Sequence, residues 1–499
     1  AKPECEYGSP AWLSDLVNRH LSVGAELGAV TLDRTTYTQF VVEPVLTIGR
    51  FKMALYFPFV FHGDFTSPSN RYRPQGNNEW DFGKQTHHDS YSDAGRKDFL
   101  RDLVLKIHST QYGNPGEELF LNAGSFREMT LGHGALVYKY ANDIDFPFVR
   151  RVGLHTGFDM DFAGLEVFSA DLAEADIFGG RLFVRPIPHF TVGISAVTDK
   201  HPVFATPEDA ANAFAVFSGI HPRDIDPLMT GFAVEADISV GEKDGDSITL
   251  FADAATVIPT LRHEYAASAV GSTHGFLYDA LYDESFPGRF RNYGLAVGIM
   301  GNLEYFDFRL DYRQYRGLFR YGFFGPNYDH LRGLYAVGLL GYLADPEDSQ
   351  YCITTAAFYG EAGVSLGEKL HLSAGYLLPR ERENIRFAAS DNDFLDLRLH
   401  IAKGLVNLPV LDKLSFGLDY TREMFAPTFR DIIKGRKAEF VNAYTVLKAE
   451  LAYAVNDAID LAFSAAAVAE RDPSGAIVYD TDFTPRWVKV FALETRIRF

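Results

Sequence analysis

The chain has 499 residues, 47% hydrophobic, 14% aromatic and 23% charged, which is too apolar and too aromatic for a disordered chain. Its net charge of -19 leaves no basic surface for phosphate, so a nucleic-acid partner is not expected. Two cysteines, Cys5 and Cys352, make neither a disulfide framework nor a metal knuckle, although they could pair with each other. No apolar run of about 18 residues offers a spanning helix. The 42 Phe, 26 Tyr and 43 Gly suit strands and tight turns.

Residues 1–20 are expected to form a short lead, and 21–499 a single unit, because alternation of period two begins near residue 21 and never stops. Segments near 21–31, 37–47 and 51–61 precede a polar stretch at 63–97. In Arg101–His108, Leu103, Leu105 and Ile107 oppose Lys106 and His108. Further segments lie near 118–127, 150–158, 162–172, 180–186 and 190–198. A long connection at 200–228 contains Thr206-Pro207-Glu208-Asp209, an N-cap, a first-turn proline and first-turn acids, which predicts a helix to about Phe217. Alternation resumes at Thr230–Val240, 247–257 and 290–300, around a long connection at 258–288. In Leu303–Tyr315, Phe306, Phe308, Leu310 and Tyr312 share one face, and Asp307, Arg309, Asp311 and Arg313 the other. After a connection at 317–331 come segments 332–343, 353–366, 370–379, 393–401, 414–421, 439–453, 457–469 and 486–499, with connections at 425–437 and 472–485.

Short turns at one end and long loops at the other predict an all-β fold: a single transmembrane antiparallel β-barrel, with short periplasmic turns and long extracellular loops. Twenty-one segments cannot close an even-numbered barrel, so the expectation is about 20 strands, with 18 and 22 open. The same misfit appears locally. If Gly301-Asn302 and Gly367-Glu368-Lys369 are turns at one end, an even number of strands must separate them, yet three segments do. Either 318–325 hides a strand or one segment is a loop.

A soluble sheet would also alternate. Strands of about 10–13 residues exceed the usual 5–6 of soluble sheets and match the roughly 9–11 of a tilted membrane strand. Tyr56, Phe57, Tyr315, Tyr420 and Trp487 stand near strand ends, where interfacial girdles are expected. The last segment, RWVKVFALETRIRF, places Phe491, Leu493, Thr495, Ile497 and Phe499 on one parity and Glu494, Arg496 and Arg498 on the other. It resembles the C-terminal recognition strand of bacterial outer-membrane β-barrel proteins, with Ile497 where an aromatic is usual. The resemblance implies an outer-membrane location, contact with outer-membrane lipid, and an assembly signal in Phe491, Leu493, Ile497 and Phe499 read by the barrel-assembly machinery. Gly124–Tyr140, Arg150–Gly153 and Gly179–Pro186 are loosely similar to stretches of large porin-like and polysaccharide-export barrels, without implying a substrate.

Catalytic chemistry is not expected. The histidines and acids His62, Asp64, His87, His88 and Asp89 lack ordered ligand spacing and read as a polar loop, so no metal or cofactor is assigned. Gly-x-Ser-x-Gly is absent. Gly132-His133-Gly134 lacks the lysine of a phosphate loop and reads as a turn or kink, and Leu318–Phe324 as loop packing. Inward parity assigns Arg151, Arg181, Arg185, Glu235, Asp237, Asp307, Arg309, Asp311, Arg313, Asp396, Arg398, Glu494, Arg496 and Arg498 to the lumen. On that register Leu310→Arg is expected to destabilise and Arg309→Leu to be tolerated.

The expected function is a channel passing small hydrophilic solutes by diffusion through the charged lumen. The alternatives are a conduit exporting polysaccharide or another polymer, or a plugged surface scaffold, adhesin or assembly partner. Lumen arginines favour anionic or sugar-like solutes and the net charge favours cations, so ion preference stays open, as does oligomeric state. Energy-coupled import is disfavoured because alternation near residue 21 leaves no room for a leading plug domain.

Overall fold

The computed structural model describes residues 20–32, 34–72, 79–80, 82, 93–218, 221–240, 246–260, 292–344, 353–383, 386–472, 477–481 and 484–498. The expected lead at 1–20 (apart from His20), Cys5, His87, His88, Asp89, Cys352 and Phe499 lie outside these residues.

Alternation becomes twenty antiparallel strands in one closed sheet. They are β1 Leu21–Leu32, β2 Thr35–Ile48, β3 in two pieces (Phe51–Leu55 and Phe57–Phe61), β4 Ile107–Tyr112 and β5 Phe120–Gly124. Then come β6 Gly153–Asp159, β7 Ala163–Ser169, β8 Ile177–Ile187, β9 Phe190–Asp199 and β10 Leu228–Ser239. Next are β11 Ser247–Thr260, β12 Tyr293–Leu303, β13 Phe306–Arg316, β14 Thr354–Leu366 and β15 Leu370–Glu383. The last five are β16 in two pieces (Arg386–Ala389 and Phe394–Ile401), β17 Leu414–Glu423, β18 Thr445–Ala454, β19 Ile459–Ala469 and β20 Trp487–Arg498. Each strand pairs with its sequence neighbour, and β1 closes the ring on β20 from Gly24↔Arg498 to Leu32↔Val490. Five helices lie between strands: α1 Asp93–Val104, α2 Glu208–Ser218, α3 Pro222–Ile225, α4 Tyr328–Ala344 and α5 Ala426–Ile433.

The pleat sorts side chains as the parity requires. Leu310 is 55% exposed on the outer wall while Arg309 beside it is 8% exposed and points inward. Leu27, Val234, Phe358 and Leu493 share the apolar outer skin. Such a skin on a closed sheet with every strand paired is the architecture of a transmembrane barrel.

The strand count resolves at 332–343, which is not a strand but part of α4. A continuous apolar run carries neither period clearly. Here Asp329 in the first turn and burial of Leu331, Ala336 and Leu339 favour a helix. Removing it leaves twenty segments and makes the strands between the two turns even in number. The first of those turns is also displaced: β12 runs through Gly301-Asn302 and turns at Glu304-Tyr305. Residues 318–325 hold no ladder strand, only an isolated bridge from Phe324 to Val137. Arg101–His108 is divided between α1 and the start of β4, and β6 begins only at Gly153, so Arg151 lies off the wall. Two supposed girdle residues face inward: Tyr56 lies under the Arg150 guanidinium, and Tyr315 packs on Phe319. Tyr420 is covered by the β17–β18 connection, whose Phe440 carbonyl accepts its hydroxyl proton at 2.7 Å.

The apolar core sits inside the barrel. Three connections at the long-loop end fold inward: 125–152, 200–227 with α2, and 317–353 with α4. Phe126, Leu136, Val137, Tyr140, Phe319, Phe324 and Tyr328 from these segments pack with Phe251, Val257 and Tyr315 of the wall. Around the opposite wall, Val30, Leu32, Val468 and Val490 enclose Phe148. Inward side chains are consequently buried toward the long-loop end and exposed toward the short-turn end. Along β1, Ser22 is exposed and Val30 and Leu32 buried; along β20, Val490 and Ala492 are buried and Arg498 exposed.

Candidate functional site: an ionic network at the tip of an in-folded segment

The segment 125–152 enters the lumen as a hairpin. Met129 and Tyr140 exchange backbone hydrogen bonds at 3.1 and 2.9 Å, and the Leu131 amide donates to the Val137 carbonyl at 3.1 Å. Gly132 and Gly134 turn the tip with φ of +58° and +88°, and a Cβ at Gly132 would collide with the Glu235 carboxylate. Only glycine permits this conformation cheaply at such close approach. The expected turn at Gly132-His133-Gly134 therefore presents His133 to the wall.

His133 is buried among carboxylates. Its Nδ1 lies 2.8 Å from Asp253 Oδ1 on β11 and its Nε2 3.2 Å from Asp237 Oδ2 on β10. Arg309 donates to the His133 carbonyl at 2.7 Å and to Asp311 at 2.6 Å, while Tyr321 donates to the same carbonyl at 3.0 Å and also to Asp253. Arg313 shares Asp311 at 3.1 Å. Arg181 bridges Glu235 and, at 3.2 Å, Glu166, which in turn meets His155 at 3.2 Å. Six expected lumen residues thus converge on one point: Arg181, Glu235, Asp237, Arg309, Asp311 and Arg313.

A second knot forms one turn of the hairpin further on. Lys139 donates to Glu361 at 2.5 Å and to Asp396 at 2.6 Å, and Arg398 reaches Asp396 at 3.3 Å and Glu128 at 2.5 Å. Burial works against the Lys139 charge, but Tyr138, Asp396 and Glu361 outweigh it and hold the amine above its ordinary range. Nearer the long-loop end, Arg151 pairs with Asp329 of α4, and Arg332 with Asp199 at 2.8 Å. Asp145 receives Arg471 and, at 2.6 Å, His330. Burial raises the Asp145 pKa, but Arg471 and His330 prevail and keep the carboxyl well below the usual range.

The remaining expected residues stand apart. Arg185 pairs with Asp159 near the short-turn rim at 2.6 Å, and Asp307 lies beside Gly363 at that end. Arg496 gathers Glu450 at 2.8 Å, Glu494 at 3.0 Å and Glu26 at 3.3 Å, and Arg498 pairs with Asp460 at 2.6 Å. On the outer wall of the same strand, Phe491 and Leu493 are exposed and Ile497 half-buried. The arginines therefore form no free ladder, because each meets a carboxylate. Sequence reasoning missed His133, Lys139, Asp145 and Asp329, which reach the lumen on connections. It also missed Asp253, whose inward parity in β11 was legible.

Water has access from one end. A cavity of about 930 Å³ at the short-turn end is lined by Asp159, Arg185, Glu166, Arg181 and Asp237 and ends at Gly132 and His133. Elsewhere on the inner wall, His400 and Glu450 remain 44% and 43% exposed. A separate pocket of about 260 Å³ lies among Tyr315, Phe319, Tyr335, Arg320 and Glu423 toward the long-loop end.

No protein-family model matches the chain, and no curated relative matches it. Among solved structures it is similar to the FrpB iron transporter from Neisseria meningitidis, at a TM-score of 0.34 and 9% identity over 97% of this chain and 83% of that one. It is also similar to OccAB2 of Acinetobacter baumannii, at 0.33 and 9% over 97% and 98%, and to OccK11 of Pseudomonas aeruginosa, at 0.30 and 8% over 96% and 95%.

Proposed function

We propose that the protein is a bacterial outer-membrane channel for small hydrophilic solutes, gated by its in-folded connections. The long-loop end faces the exterior and the short-turn end the periplasm, the usual sidedness of such barrels. The observation that carries this reading is the polar cavity running from the short-turn end to His133, with charged side chains on the inner wall open to water. Buried charge persists only where it is paired or wet, and this lumen supplies both conditions. Passage requires the packed half of the lumen to open, by displacement of 125–152 and the α4 connection. With most lumen charges matched, polarity and width rather than one dominant sign select the solute. No catalysis or cofactor is invoked for passage. Assembly depends on outer-membrane lipid and the barrel-assembly machinery acting on the β20 segment.

The plugged-scaffold reading draws on one observation, the apolar packing of Val30, Leu32, Val468 and Val490 around Phe148. A polymer conduit calls for a wide continuous bore, and the same packing speaks against it. Single-channel recording in planar bilayers separates the readings. The comparison is between the intact barrel and a variant whose 129–140 hairpin is replaced by a short Gly-Ser turn. Conductance that rises in the folded variant supports the gated channel. Silence in both leaves the scaffold.

A further inference from the structure

Three groups at the hairpin tip are arranged as metal ligands. His133, Glu235 and Asp253 are all buried, and one ligand atom from each lies within 4.8 Å of the others. They come from three elements, the 125–152 hairpin, β10 and β11, so only the fold brings them together. We propose that this triad binds one divalent first-row transition-metal ion and thereby pins the in-folded hairpin to the wall.

Four features of the chemistry support the site. An imidazole nitrogen with two carboxylate oxygens suits zinc-like ions, whereas calcium and magnesium prefer oxygen alone. At metal–ligand distances of about 2.0–2.2 Å, ligand atoms stand roughly 3.4–4.3 Å apart, so the triad closes by about 1 Å or less. The surrounding shell is already built. With Nδ1 of His133 on the metal, its Nε2–H donates to Asp237 at 3.2 Å, the carboxylate–histidine–metal relay that fixes ring orientation. Arg181 and Tyr321 hold Glu235 and Asp253 in the same way.

Charge points in the same direction. With His133 neutral, as a ligand must be, the knot contains five carboxylates (Glu166, Glu235, Asp237, Asp253 and Asp311) against three guanidiniums (Arg181, Arg309 and Arg313). The difference is two negative charges, which one divalent ion cancels. Any proton on Nδ1 leaves to water as the ion enters. The cavity of about 930 Å³ reaches His133 from the short-turn end and gives the hydrated ion its path.

The site stands apart from the channel reading, since a metal-pinned hairpin belongs equally to a gate or a plug. The test is titration of the folded, metal-stripped barrel with Co²⁺, read by its visible absorption, and displacement by Zn²⁺. One equivalent is expected, with bands that disappear in His133→Ala. Asp237→Asn, which spares the ligands, is expected to weaken binding by about 10–100-fold. Heat-modifiable mobility on gels establishes that each variant is folded. Absence of a stoichiometric cobalt spectrum in the intact barrel overturns the proposal, as does an unchanged spectrum in folded His133→Ala.

Discussion

Replacing Arg309 with leucine asks how much of the lumen is structure rather than surface. The guanidinium makes three bonds: 2.6 Å to Asp311, 2.7 Å to the His133 carbonyl and 3.1 Å to the Tyr321 hydroxyl. It also lies 4.7 Å from the Phe251 ring centre. Removing one partner of a buried ion pair costs about 3–5 kcal/mol. Arg313 remains on Asp311 and Tyr321 remains on the His133 carbonyl, so neither group is orphaned and the cost falls at the lower end, about 3 kcal/mol. Arg309→Lys keeps the charge but loses the fork, and an intermediate loss is expected. Equilibrium urea unfolding of the refolded barrel in detergent reads the difference. A wild-type midpoint for Arg309→Leu would refute the argument and restore the simpler expectation that a lumen-facing swap is tolerated.

Leu310→Arg probes the opposite face of the same strand: arginine near the middle of the lipid-facing wall is expected to cost about 2–4 kcal/mol in the same unfolding assay. Gly132→Ala puts a Cβ against Glu235 at φ +58°, so the hairpin tip is expected to lose about 1–3 kcal/mol and to open to limited proteolysis. The Asp145 carboxyl is depressed in the folded state, so its stabilisation is complete above the ordinary carboxylate pKa of about 3.9 and disappears only as pH falls through the lower folded value. Protease resistance of the in-folded connections is therefore expected to hold from pH 8 to pH 5, and Asp145→Asn to reduce it across that range. Deleting 206–217 removes α2, which follows the Thr206 hydroxyl that donates to the Gly333 carbonyl of α4 at 3.1 Å. Raised conductance is expected, and unchanged conductance in a folded barrel would confine α2 to packing among loops.

The sequence by itself determined the wall. Period-two alternation in segments such as Phe306–Arg316 can satisfy lipid on one side and charge on the other only as a barrel strand, so facing follows residue by residue. The aligned turns and long connections then set the topology, to within the one segment that proved helical. α4 escaped because its apolar run is buried on several sides, and neither period survives when every face needs apolar groups. Tyr56 and Tyr315 were misplaced for a related reason. An aromatic near a strand end suits an interface or a packed lumen equally, and only the in-folded connections decide between them. The site depended on tertiary structure almost entirely. Glu235, Asp237, Arg309, Asp311 and Arg313 were visible as inward residues, but their partners His133 and Tyr321 arrive on connections more than a hundred residues from some of the groups they meet. A strand's facing is a local consequence of the pleat. Which connection enters the lumen, and where its tip stops, is set by the complementarity of surfaces that meet only once the ring has closed.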